Sequence, residues 1–462
     1  MMLVAGVDSS TQSTKVLLCQ ADDGAIVGEA TAPHPAGTEC DPERWWQALA
    51  KAGDGLLDQA DAIGVAAQQH GMVVVDEAGQ VIRPALLWND VRSAPQAAAL
   101  IAEMGGPGHW ARLTGSVPTA SFTVTKLRWL AENEPDAAAR TARVMLPHDW
   151  LTWRLGDRAH EPATDRGDAS GTGYFSPATG RWLPELAEAA LGKPAGLPRL
   201  AAPAEVVART PAGVTLSAGT GDNMGAALGL GLGLGEVVVS IGTSGTAYAI
   251  AAEPAADESG AVAGFADATG RFLPLVATIN AARVLTVTAR MLGTDAGGLS
   301  RLALAAPPGA QGLILLPYLD GERSPNRPRA NGVLRGLTSA NTTQENMARA
   351  AVEAVLCSLA DAIGNLADCG IAAQRVILIG GAARSEAVRR IAPQIFGVPV
   401  TVPSPAEYVA LGAARQAAWA LSGAAEPPSW PLAGTAEYTA EPTPQVREQY
   451  ALLRDATTAW GS

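Results

Sequence analysis

Apolar residues along this chain fall into short runs separated by small, hydroxyl-bearing turns. At the start, LVAGVDSSTQSTKVLLCQADDGAIVGEATA reads as an apolar strand, a polar turn of Ser, Thr and Gln, a second strand, a DDG turn and a third strand. Further on, EVVVSIGTSGTAYAIAAEP repeats the form: an apolar run at 237–241, a turn of Gly242, Thr243, Ser244 and Gly245, then another strand. Two copies of strand, hydroxyl-rich turn and strand, one heading each half, predict two similar domains facing each other. The boundary falls near residues 233–236, giving domains 1–235 and 236–462. Ala-rich stretches at 42–59, 125–132 and 344–366 carry helical spacing between Gly and Pro punctuation, so the chain is of the α/β class. From about residue 423, Pro and Glu residues precede a predicted helix over 445–460, which reads as a linker and a closing helix.

Length and charge narrow the class. At 462 residues the chain exceeds what one hydrophobic core supports, which agrees with two domains. A hydrophobic share of 48% with 17% charged residues is that of a soluble globular protein. The net charge of −12 and the lack of clustered Lys and Arg disfavour nucleic acid as a partner. A small anionic ligand is compatible, since helix N-termini and glycine turns hold anions. No uninterrupted apolar run reaches about 18 residues, so no membrane span is expected. MMLVAGVDSS has no basic segment ahead of an apolar one, so no secretory signal is expected either. Cys19, Cys40, Cys357 and Cys369 lack CxxC spacing and neighbouring histidine pairs, and read as reduced, mostly buried thiols of a cytoplasmic protein.

A turn of Gly, Ser and Thr points backbone N–H groups and hydroxyls at one spot, which holds phosphate oxygens without a large positive charge. Either turn alone is equally an ordinary hairpin connection. Their duplication, and Asp8 just before the first, favour a phosphate site. The familiar nucleotide motifs are excluded. Gly192 and Lys193 are followed by Pro194, with no glycine at the upstream position a P-loop needs. Gly219 and Gly221 are followed by Met224 where a dinucleotide fingerprint needs a third small residue. VILIGGAARSEAVRR reads as strand, turn and helix; Gly380, Gly381 and Ala382 either let the backbone approach a flat ligand or make a tight connection. In GTGDNMGAALGLG a single carboxylate, Asp222, stands among glycines, as a helix-capping residue or as a proton acceptor.

Asp8, the GTSG turn, the GDN element and the GGAARS turn, in this order, resemble the FGGY family of carbohydrate kinases over nearly the whole chain. SFTVTKLRWLAEN, at 121–133, is similar to that family's first signature, and GVLRGLTSANTTQENMARAAVE, at 332–353, to its second. AAQQHG, LLWNDVRSA, TDRGDASGT and LPYLDGERSP are most similar to members that phosphorylate D-xylulose. The resemblance implies a two-domain, ribonuclease H-like α/β fold of the actin, hexokinase and heat-shock-chaperone type, with ATP and sugar meeting in a central cleft. It implies Asp222 as the catalytic base that accepts the sugar hydroxyl's proton, and Asp8 as the residue that holds Mg²⁺ against the β- and γ-phosphates. Thr11, Ser13 and Lys15 would line the first phosphate turn, and Gly242, Thr243 and Gly245 the second. Gln69, His70 and Asn223 would meet the sugar hydroxyls, Trp88 would wall the sugar pocket, and Gly381, Ala382 and Ser385 would contact the adenosine. As residues alone, Lys15 is equally a solvated strand residue, His70 a structural histidine and Trp88 a core residue. The implied reaction is ATP- and Mg²⁺-dependent phosphorylation of D-xylulose at its 5-hydroxyl, with domain closure excluding water. The alternatives are the same chemistry on ribulose, gluconate or glycerol, and a non-catalytic sugar-binding relative, against which the two carboxylates argue. Dimers are common in the family, so the resemblance allows a homodimer, but no exposed apolar stripe in the sequence assigns an interface.

Overall fold

The computed structural model describes residues 2–461. Contacts divide the chain into two units. The first runs through Leu232 and also takes in Ala251–Leu273 and Ala406–Pro431; the second holds Gly233–Ile250, Pro274–Pro405 and the chain from Leu432 onward.

The first unit is built on β1 (Leu3–Ser9), β2 (Ser13–Gln20), β3 (Ile26–Pro33), β4 (Ala62–Ala67), β5 (Val206–Arg209), β6 (Thr215–Ser217) and β7 (Thr220–Gly221). Its order is β5-β6-β4-β1-β2-β3, with β7 paired to the far end of β4. β1 runs antiparallel to β2, pairing Asp8 with Lys15, and parallel to β4, pairing Asp8 with Ala66. β1 and β4 are near-continuous apolar runs because both faces of the sheet are covered. On one face Ala5, Val7, Ile63 and Val65 meet Trp45 and Leu49 of the helix Pro42–Gly53 and Trp150 of the helix Pro147–Leu155. On the other, Val4 and Leu17 meet Ala410, Ala414 and Ala417 of the helix Tyr408–Ser422.

That last helix sits unusually close to its neighbours. Gly6 and Gly64 are register partners on β1 and β4, and a Cβ on either would stand 1.9 Å from the Ala410 carbonyl oxygen or 2.1 Å from that of Ala413. On its opposite side, a Cβ at Gly412 would stand 1.8 Å from the Gly225 carbonyl oxygen of the helix Asp222–Leu230. Sheet, helix and helix therefore pack backbone to backbone, and this stack sets where Asp222 emerges.

The second unit repeats the scheme with β8 (Glu236–Ile241), β9 (Gly245–Ala249), β10 (Phe272–Thr278), β11 (Arg375–Ile379), β12 (Val400–Val402) and β13 (Ala436–Tyr438), in the order β10-β9-β8-β11-β12-β13. β8 is antiparallel to β9 and parallel to β11, as β1 is to β2 and β4. Both units thus share the order third, second, first, fourth strand, so the duplicated turns sit at equivalent hairpins. The helix Gln344–Asp368 is the one, among the described residues, long and apolar enough to cross a membrane, and it is buried as the core of this unit.

Helix ends differ from the sequence reading where glycine intervenes. The expected helix 42–59 stops at Gly53; Gly55 adopts φ +69°, and Leu57–Gln59 is a separate 3-10 turn. The expected helix 445–460 is Pro444–Ala456 followed by a short turn, Thr458–Gly461. The other two helices extend slightly beyond the expected spans, to Thr123–Asn133 and Gln344–Asp368. Cys19, Cys40 and Cys357 are buried free thiols, and Cys369 is half-buried.

Candidate active site

The parallel strands β1, β4 and β7 end side by side, which brings Asp8, Gln69 and Asp222 to one edge of the first unit's sheet. Ligands in open α/β sheets bind at such carboxyl ends. After β7 the chain turns through Gly221, whose backbone is extended, into the helix Asp222–Leu230, placing Asp222 in its first turn. The Asp222 carboxylate accepts from the N–H of Asn223 at 2.8 Å and from its side-chain amide at 3.0 Å, and that amide also donates to Gln69 Oε1 at 3.0 Å. Asp222 therefore does bond its own helix terminus, as a capping residue would, yet it is only half-buried at the end of a strand. Burial, and the negative charges of Asp8 and Asp168, push its pKa up to about 7.

Asp8 is 4% exposed and accepts a hydrogen bond from the Ser10 hydroxyl. Burial pushes its pKa up to about 6, against the opposing effects of Ser10 and Lys15. Lys15 is ion-paired with Glu407, and both side chains keep partial exposure. Thr11 accepts the Trp88 indole N–H at 2.8 Å, which ties the LLWND segment to the first turn. Trp88 is half-buried here and not a core residue. Ser13 opens β2, opposite Pro33 of β3.

His70 is held from several sides. It is a non-glycine residue at φ +66°, a conformation that costs energy and persists only where its surroundings enforce it. Its carbonyl accepts from Lys126 Nζ at 2.7 Å and from the Thr123 hydroxyl at 3.2 Å. Its Nδ1 lies 2.6 Å from the Gly171 carbonyl. A carbonyl only accepts, so Nδ1 carries a proton. The ring lies against Phe122 and Phe265, with centroids at 4.8 and 5.8 Å. Lys126 is fully buried and also donates to the Ser121 carbonyl at 2.7 Å; burial drives its pKa well down, with Asp90 opposing.

In the second unit, Gly381, Ala382 and Ser385 line a cavity of about 960 Å³ together with Leu285, Ala289 and Leu299. Mostly apolar walls with a few polar groups suit a flat, polar-edged ligand. Arg290, Arg301 and Arg384 also border it, and no sequence pattern singled them out because each sits in a helical or turn stretch that reads as a solvated face. Gly380, at φ +91°, would bring a Cβ within 2.7 Å of the Ile241 carbonyl, so it makes the tight connection, while Gly381 next to it lines the cavity. Ser385 also caps the helix Glu386–Phe396. Gly242 and Thr243 form the hairpin tip, and the Gly242 carbonyl accepts from Ala282 N–H at 2.9 Å, at the start of a helix that borders the cavity. Gly245 stands apart from that tip: it is buried, pairs with Ile241 inside the sheet, and leaves no room for a Cβ beside Thr278.

Residues 3–229 match the FGGY family of carbohydrate kinases, N-terminal domain, and residues 237–421 match its C-terminal domain. The xylulose kinase of Streptomyces coelicolor is 46% identical over 437 residues, covering 91% of this chain and 88% of that protein. The xylulose kinase of Streptomyces rubiginosus gives the same identity and coverage. The crystal structure of xylulose kinase from Bifidobacterium adolescentis superposes with a TM-score of 0.93 at 44% identity, covering 98% of this chain and 99% of its own.

Proposed function

Because the chain belongs to the FGGY family of carbohydrate kinases, we propose that it transfers the γ-phosphoryl group of ATP to the 5-hydroxyl of D-xylulose, releasing ADP and D-xylulose 5-phosphate. Its relatives' names and their high coverage support the acceptor; the fold is that of a sugar kinase, the two-domain actin- and hexokinase-like α/β fold. The observation that carries the chemistry is Asp222, half-buried at the strand ends with a proton affinity raised to about 7. Phosphoryl transfer asks for positioning and charge stabilisation, with a carboxylate to take the hydroxyl proton. Asp222 takes that proton, and Asn223, Gln69 and His70 orient the acceptor beside it. In the first unit the hairpin at Thr11 suits phosphate oxygens; in the second the tip at Gly242–Thr243 does so too, and the cavity suits the nucleoside.

The donor set suits Mg²⁺. Among the described residues no three His, Cys, Asp or Glu side chains converge into a metal cage. Mg²⁺ is usually bound through one or two carboxylates, with phosphate oxygens and waters completing its shell, and Asp8 supplies one such carboxylate beside Asp222. Held there, the ion would neutralise charge on the leaving phosphates.

Two tests follow from the residues. The ionised form of Asp222 is the active one, so kcat/KM falls about tenfold per pH unit below about 7 and levels off above it. Mg²⁺ at Asp8 offsets a charge that helps raise Asp222, so saturation with Mg·ATP moves this limb to lower pH. A flat pH profile in the free enzyme would contradict the assignment. Lys126→Met leaves the His70 and Ser121 carbonyls buried and unpaired, costing roughly 2 kcal/mol of stability. It also raises KM for the sugar by about tenfold with kcat changed less, since His70 loses its brace; an unchanged KM would mean that His70 does not meet the sugar.

The acceptor itself is tested by coupled ADP release with Mg·ATP and D-xylulose, D-ribulose, L-ribulose, gluconate, glycerol or no sugar. D-Xylulose should give by far the highest kcat/KM. Preference for another acceptor would replace the sugar and keep the kinase.

A further inference from the structure

Behind Asp222 the first unit buries a set of ionisable groups that phosphoryl transfer does not use. Asp165 accepts from the N–H groups of Gly167 and Asp168, both at 2.9 Å, and its Oδ2 also accepts the Thr220 hydroxyl at 3.0 Å. Thr220 lies in β7, two residues before Asp222. His148, on the helix Pro147–Leu155, donates from Nδ1 to Asp168 Oδ2 at 2.6 Å. Its Nε2 lies 3.2 Å from Asp149 Oδ1 without the alignment of a hydrogen bond. The ring packs on Gly219, where a Cβ would stand 2.5 Å from His148 Cδ2. From the helix Tyr408–Ser422, Gln416 donates to the Gly219 carbonyl at 2.9 Å and accepts from the Ser217 hydroxyl at 3.2 Å.

Asp165, Asp168, His148, Thr220 and Gln416 are all buried. Burial works against a charged His148 ring, but Asp149, Asp168 and Asp165 push its pKa up to about 9. Apolar side chains of the same volume commonly serve stability as well as buried ion pairs do. What this set adds is direction: side chains from three separate elements grip residues 217–220, the stretch that delivers Asp222.

We propose that Asp165 and His148 are positioning residues for Asp222, fixing the backbone at Gly219 and Thr220 so that the carboxylate meets the acceptor hydroxyl in reactive geometry. This rests on Asp222 being the base. Misplacing a reacting group by about 1 Å costs on the order of 10²-fold in rate.

Thr220→Val removes the hydroxyl and keeps the shape. It should lower kcat at least about tenfold while KM for sugar and ATP stays within about threefold, measured well below the melting temperature, and Thr220→Ser should recover most of the loss. Asp165→Asn should show the same split between kcat and KM. A purely packing role would alter Tm and leave kcat per folded enzyme unchanged. Wild-type kcat in Thr220→Val and Asp165→Asn, beside an inactive Asp222→Asn, overturns the positioning role alone; full turnover by Asp222→Asn overturns the base and the positioning together. Should Thr220→Val not fold, Thr220→Ala read in the same way decides.

Discussion

Asp222→Asn lowers kcat by about 10³-fold or more while D-xylulose affinity stays within a few-fold. Asparagine keeps the shape of the side chain and an oxygen that can accept from the Asn223 N–H, as the carboxylate does at 2.8 Å. It cannot take a proton at neutral pH. Stability supplies an independent check. Asp222's pKa is raised above its ordinary 3.8 to about 7, so its ionised form is disfavoured in the folded protein by burial and by Asp8 and Asp168. That penalty is fully present above about 7 and fades as pH falls toward 4. The asparagine variant should therefore melt no lower than the parent at pH 8, and the difference should shrink in acid. A variant that is both inactive and markedly less stable at pH 8 would point to a structural role for the carboxylate.

Gly412→Ala destabilises the protein by about 3 kcal/mol or more. The added methyl would stand 1.8 Å from the Gly225 carbonyl oxygen and 2.9 Å from the Gly229 nitrogen, both backbone atoms of the helix that begins with Asp222. No side chain can rotate away. The helix Tyr408–Ser422 cannot retreat on its other side either, because it already rests on Gly6 and Gly64 of the sheet. A loss of this size lowers Tm by roughly 6–12 °C, and the shifted helix should cost activity at temperatures where the variant is still folded. Gly364→Ala is the control: nothing lies within 4 Å of a Cβ built there, inside the last two turns of the helix Gln344–Asp368, so it should be neutral or stabilising. Melting of Gly412→Ala at the parent temperature would mean that the two helices are not in backbone contact.

The strands and the duplicated hairpins were legible because their signals are local: apolar runs closed by hydroxyl turns. The sheet register then brought Asp8, Gln69, Asn223 and Asp222 to one edge, as the motif order implied. Gly245 was misplaced at the turn because glycine there reads as loop, whereas it is a strand residue crowded by Thr278. The pair of Lys15 with Glu407 could not be read, since the partners lie 392 positions apart and each looks like a solvated charge. Lys126 shows the same limit more sharply. A lysine in a helical stretch suggests a surface, and only the fold reveals that its amine lies buried against the His70 and Ser121 carbonyls. His148 was not singled out, and Asp165 stood only within TDRGDASGT with no role of its own, for a related reason: their partners, Asp168 and Thr220, come from other elements, and no spacing rule joins them.

The most direct test incubates the protein with Mg·ATP and D-xylulose and examines the product by NMR, with ADP formation followed in parallel. One ADP should form for each sugar consumed, and the phosphorus of the ester should couple to the terminal C5 of the ketose, with both signals absent for Asp222→Asn. ADP formation that does not depend on sugar, an ester at another carbon, or the same product from Asp222→Asn would contradict the account.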